Sequence, residues 1–220
     1  MKTFSKVKKV TALLLLMGCL LATLAGCGKE KTASDTSLVA CASVLIEKSY
    51  VINQLFFEEG IALLENGKVE NRYQEADASQ LAQYGFSSFD SISQYVKSIY
   101  SDVAYAQWTS LAIDRQSDGV SILRQAYCYD AKDKHGTFLM LMVSLDGLNN
   151  PTDKTVYDLT SLQVVSKTAT TAILEVEASI KDESGKVQTR TKQIGLVLEN
   201  GEWQLDTLTC MSYFVPPSVS

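Results

Sequence analysis

A single histidine, His135, serves all 220 residues. No CxxC pair and no Cys/His cluster occurs anywhere in the chain. Zinc of the usual kind takes three or four Cys or His ligands, so the composition argues against it. The nucleophile elbow GxSxG is missing, and a Ser–His–Asp triad would have to be built around His135 alone. That histidine sits in "AKDKHG", a polar turn with no buried partner to orient it. A cysteine–histidine pair would need Cys41, Cys128 or Cys210 beside it, and Cys128 has the neighbours of an inward-facing thiol. "DAKDKHG" lacks the ligand spacing of a calcium loop. Glu58, Glu59 and Glu65 read as solvated acids at a helix end and loop. There are no repeats and no low-complexity blocks. No catalytic residue, metal or cofactor is expected.

Cysteine is also sparse. Of Cys19, Cys27, Cys41, Cys128 and Cys210, the last three follow the N-terminal segment. Three thiols allow at most one intramolecular bridge, and its pairing cannot be read from sequence. Their apolar neighbours favour small buried thiols, so the fold is expected to persist under reductant.

What is present begins with "MKTFSKVKKVTALLLLMGCLLATLAGCGKEKTASDTS". Lys2, Lys6, Lys8 and Lys9 form a basic start. An apolar stretch runs from Val10 to Ala25, just short of the ~18–20 residues that argue for a spanning helix. The order of basic start, short apolar middle and small-residue end is that of a signal peptide. "LAGC", Leu24 to Cys27, resembles the lipobox of bacterial lipoproteins. That resemblance implies a diacylglyceryl group on the Cys27 thiol and cleavage just before it. "LMGC" at Cys19 is a weaker match. Cleavage there would leave the apolar "LLATLAG" uncovered, whereas cleavage before Cys27 leaves the polar "GKEKTASDTS". The expected organisation is a signal peptide over 1–26, a tether over 27–36, and one domain over 37–215. Lipidation would hold that domain at the outer face of the cell membrane rather than across it. No later stretch is expected to span.

Residues 1–26 carry four lysines and no acid, so their loss turns the formal net charge of −5 into −9. An acidic surface argues against nucleic acid and other anionic polymers as partners. The remaining 194 residues are ample for a core.

After the tether, "SDTSLVACASVLIEKSYVINQLFF" predicts a helix capped by Ser34 or Asp35, with Leu38, Cys41, Leu45, Tyr50 and Leu55 along one apolar stripe. "ENGK" predicts a turn joining two short strands. "GFSSFDSISQYVKSIYSDVAYAQWTSLA" predicts two short helices, one opened by a Ser87/Asp90 capping box and the other by Ser101. From residue 120 the apolar period becomes two. "VSILRQAYCYD", "TFLMLMVSL", "SLQVVSKT", "TAILEVEASIKD", "VQTRTKQIGLVLE" and "EWQLDTLTC" are the expected strands. "TFLMLMVSL" should be central and covered on both faces. "ESGK" and Asn200–Gly201 mark hairpin turns. The fold class is α+β, with N-terminal helices packed on a C-terminal antiparallel meander.

Arg124 shares a strand face with Val120, Ile122, Ala126 and Cys128. It is either a snorkelling arginine at a sheet margin or an anchor for a carboxylate at the base of a cavity. Tyr127 and Tyr129 point to the opposite face and suit a contact surface with one wet side. Trp108, Tyr157 and Trp203 could line a groove, although Trp203 alternates with Leu205 as a core residue would. The binding candidates are thus Tyr127, Tyr129, Arg124 and Trp108.

The strand, "SGK" hairpin and "ENGEWQLDTL" ending resembles that of bacterial lipoproteins with nuclear-transport-factor-like cone folds. "NRYQEADASQLAQYGFSSFDSISQYVKSIYSDVAYAQW" looks like a segment of IseA-type inhibitors of cell-wall DL-endopeptidases. There an "RY" precedes a loop, an "F.S...I..Y....Y" helix and a second helix opened by Ser or Thr. The resemblance covers the element order of most of residues 40–210. It implies a non-enzymatic protein that covers a hydrolase active site, and it maps no inhibitory loop onto this sequence. Occlusion here is expected to use the loops between the strands, including 130–136 and 146–155. The alternative is a small-ligand binder with a cone-shaped sheet cavity.

Overall fold

The computed structural model describes residues 32–57, 61–67, 69–70, 73–113, 126–130, 137–142, 155–181 and 186–210. Helix α1, Asp35–Phe57, holds no glycine or proline over 23 residues. Ser34 opens it, with its Oγ accepting from the Ser37 N–H at 3.2 Å and its carbonyl from the Leu38 N–H at 3.0 Å. Asp35 places a negative charge in the first turn, where the helix dipole favours it. The expected domain boundary at residue 37 therefore falls inside a helix that has already begun.

The buried face of α1 carries Leu38, Ala42, Leu45, Ile46, Ser49, Ile52, Asn53 and Phe56. These follow a three- and four-residue rhythm. Cys41 and Tyr50, expected on the stripe, flank it half-buried. By length and composition α1 is apolar enough to cross a membrane, which corrects the expectation that no later stretch qualifies. Its apolar side is taken up by the fold, packed on strands β5 and β8.

The C-terminal sheet is formed by β5 (Val156–Lys167), β6 (Thr171–Lys181), β7 (Val187–Glu199) and β8 (Glu202–Leu205), in the order β5-β6-β7-β8 and antiparallel throughout. On β6, Ala172, Leu174, Val176 and Ala178 are buried, while the alternate positions are exposed or half-buried. This alternation is what a sheet with one covered face requires. Asn200 and Gly201 turn β7 into β8 with φ of 51° and 84°, the left-handed pair a two-residue hairpin needs.

The meander stops at β5, a correction to the expected single sheet. Strands β3 (Ala126–Asp130) and β4 (Thr137–Met142) belong to a second antiparallel sheet with β1 (Val69–Glu70) and β2 (Tyr73–Glu75), in the order β1-β2-β4-β3. β4 is inner there, paired to β2 on one side and β3 on the other. The "ENGK" turn does not join partner strands either. The Leu64 N–H donates to Glu75 before the turn, and Val69 pairs with Gln74 after it. Both segments thus lie along the same partner, and the turn is an outward kink.

Among the described residues, three helices lie between the β1–β2 hairpin and β3. They are α2 (Ala78–Gln83), α3 (Phe89–Lys97) and α4 (Asp102–Ala112). Asp77 caps α2, accepting from the Ser79 N–H at 2.8 Å. The capping box of α3 is Ser88 with Ser91, one residue later than expected and without an acid. Ser101 caps α4 as expected, accepting from the Ala104 N–H at 3.1 Å. Between α3 and α4 the chain runs along β8: the Leu205 N–H donates to Ile99 and the Ser101 N–H to Leu205. The free edge of the meander is thereby covered and the helices are fastened to the sheet. The core is one cluster built from α1, the three short helices and the inner face of this sheet.

Candidate functional site

Thr209, which follows β8, turns inward and is fully buried. Its hydroxyl lies 3.0 Å from Asn53 Nδ2, 2.8 Å from the Tyr100 hydroxyl and 2.7 Å from Ser49 Oγ. Ser49 passes its own proton to the Ile46 carbonyl at 2.7 Å. The Tyr157 hydroxyl donates to the Thr209 carbonyl at 2.9 Å. Thr209 therefore ties α1, the α3–α4 connection and β5 to the end of β8. Burial pushes the Tyr100 and Tyr157 hydroxyls far above the usual tyrosine range. They are fixed as neutral donors, the opposite of what acid–base chemistry near neutrality requires.

A different environment adjoins Tyr157. The paired registers put Tyr157, Ala178 and Arg190 in one row across β5, β6 and β7, with Lys192 opposite Val176 on the same face. Ala178 and Val176 are small enough to let the Lys192 side chain lie near the ring. Lys192 Nζ stands 5.9 Å from the Tyr157 ring centroid. The exposed Arg190 guanidinium donates from Nη2 to Gln188 Oε1 at 2.8 Å. Burial works against the Lys192 ammonium and sets its pKa below the usual lysine value; Cys210 opposes that shift and the charge of Arg190 adds to it. Glu175 and Glu177 occupy the opposite face, where Gln193 Nε2 donates to Glu175 at 3.2 Å. The stretch "KVQTRTK", 186–192, holds three cations and no acid in a chain of net charge −5. Its two-residue period put Arg190 and Lys192 on one face in the sequence already. Their closeness to Tyr157 needed the β5–β6 register.

The sequence-selected residues do not converge on this region. Trp108 is fully buried, packed edge-on to Phe56 at 5.1 Å and stacked with Tyr105 at 6.3 Å. It is a core residue, not a contact residue, because no part of its indole reaches the surface. Tyr127 and Tyr129 lie at alternate positions on β3, which among the described residues pairs on one side only. Arg124, Cys27, His135, Glu58 and Glu59 lie outside the described residues. Tyr157 is core, as is Leu205, while Trp203 packs half-buried against the core. Cys41 is in no disulfide, and burial raises its thiol pKa. Among the described residues no three His, Cys, Asp or Glu side chains group as metal ligands would.

No protein-family model matches the chain, and no curated protein is significantly similar to it.

Proposed function

We propose that this chain is a lipoprotein anchored by lipid at the extracytoplasmic face of the cell membrane, a non-enzymatic binding protein that restrains a cell-wall DL-endopeptidase by occluding its active site. The observation that carries the reading is the "LAGC" box at Leu24–Cys27, followed by a short polar stretch and then a folded domain. Seven peptide steps separate Cys27 from Ser34, a reach of at most about 25 Å. Helix α1 starts there, and Lys167 at the end of β5 holds it, 2.7 Å from both Asp35 and the Ala33 carbonyl.

The antiparallel run of α1 and β5 supports occlusion away from the anchor. Lys167 meets the start of α1, whereas the Tyr157 N–H meets Tyr50 near its other end at 3.1 Å. A helix of 23 residues is about 34 Å long. Thr155, the one described residue of 146–155, precedes β5 at the end remote from the start of α1. Helices α3 and α4 come in the order of the two helices of the IseA-like segment, with α2 standing where that segment has a loop.

A purified DL-endopeptidase should form a one-to-one complex with the protein. A substrate mimic fixed covalently in the enzyme's cleft should block that complex. Complex formation that ignores the mimic would remove occlusion. No complex with any such enzyme, together with heat stabilisation by a small molecule, would favour the ligand-binding alternative.

A further inference from the structure

We propose that the inner face of the β6–β7 ladder, at its end remote from α1's start, docks an acidic segment of a protein partner through Arg190 and Lys192. This deepens the binding reading above and rests on it. Two observations carry the inference. The first is sign: within an acidic chain, 186–192 gathers Lys186, Arg190 and Lys192 with no acid between them. The carboxylates of Glu175 and Glu177 are turned to the other face of the same ladder.

The second is preorganisation. The Gln188 carboxamide holds the exposed Arg190 guanidinium at 2.8 Å through one of its N–H groups. A neutral acceptor steadies the group without cancelling its charge, and the remaining N–H donors suit a carboxylate. Lys192 is two residues along the same face, with its ammonium near the Tyr157 ring. Two cations about 7 Å apart along a strand match two carboxylates of an extended acidic segment.

The test uses the full-length protein in non-ionic detergent and hexaglutamate as the probe. Hexaglutamate should bind at low salt and weaken as salt rises. Arg190→Gln with Lys192→Gln should weaken binding at least tenfold, while Lys97→Gln, a cation elsewhere, should change it less than twofold. Arg190 is exposed, so single changes there leave the core alone. Arg190→Lys should keep most of the binding that Arg190→Gln loses. Equal binding by wild type and the double variant overturns the proposal. So does binding of inorganic polyphosphate with none of hexaglutamate. Because no hydrolase is present, hexaglutamate binding combined with failure to bind any endopeptidase would keep this site and discard only the inhibitor reading.

Discussion

At the scale of single residues, the buried hydroxyls make the sharpest predictions. Tyr157 and Tyr100 are held neutral in the fold, while in the unfolded chain they ionise near pH 10. Below that pH both states carry the proton, and the stabilisation is complete. As pH rises through about 10, the unfolded state loses its protons first and is favoured, so stability falls. Tyr157→Phe should cost about 1–3 kcal/mol at neutral pH by leaving the Thr209 carbonyl without its donor. It should also flatten the alkaline decline, as denaturant melts between pH 9 and 11 would show. Parallel declines for variant and wild type would mean that another group controls alkaline unfolding. Trp108→Ala should cost about 3–5 kcal/mol by opening a cavity against Phe56 and Tyr105. A fall in melting temperature with unchanged partner affinity, measured where the variant is still folded, is the result expected of a core side chain.

At the scale of elements, the decisive joint is the Ile99–Ser101 segment along β8. Ser101 caps α4, and its hydroxyl also reaches Asp206 at 2.5 Å. Ser101→Ala removes both and exposes the loss to a buried site. It should cost more than Ser88→Ala, which removes a half-buried cap worth about 0.5–2 kcal/mol. Equal losses in chemical denaturation would show that the contact with Asp206 adds nothing. Elements with strong periodicity were legible in the sequence. The alternation of Ala172, Leu174, Val176 and Ala178 predicts the covered face of β6, and Asn200–Gly201 predicts the last hairpin, because both are local consequences of backbone geometry. The second partner of β4, beyond the adjacent β3, was not legible. It is β2, a three-residue strand some 65 positions earlier, so no local pattern points to it. The cap of α3 slipped by one because adjacent serines offer equivalent hydroxyls. The extended backbone of Ser88, with φ of −160°, selects between them. Arg190 and Lys192 were visible as alternating cations, yet their relation to Tyr157 depends on a β5–β6 register that shifts twice.

At the scale of the whole molecule, the start of α1 and the proposed docking face lie at opposite ends of the β5–β8 sheet. The Thr168–Thr171 and Asn200–Gly201 turns lie at the end where α1 starts, because Thr171 pairs with Val197 and Lys167 reaches Asp35. The start of β5 and the β6–β7 hairpin lie at the other end, where Val156 pairs with Ser179. Cys27→Ala should abolish fatty-acid labelling of the protein in cells. Labelling that persists in Cys27→Ala and disappears in Cys19→Ala would move the anchor. On the proposed reading the anchor sets location and not fold, so the same variant should keep the wild-type melting temperature in detergent.

Occlusion makes a stoichiometric demand that catalysis does not. The direct measurement is the rate at which a DL-endopeptidase digests purified cell wall as the protein is titrated in, with the enzyme well above the dissociation constant of the complex. The account predicts a linear fall in rate that levels off near one protein per enzyme, with no cleavage of the wall by the protein alone. A rate that stays flat through a large molar excess, across a panel of such endopeptidases, would contradict it.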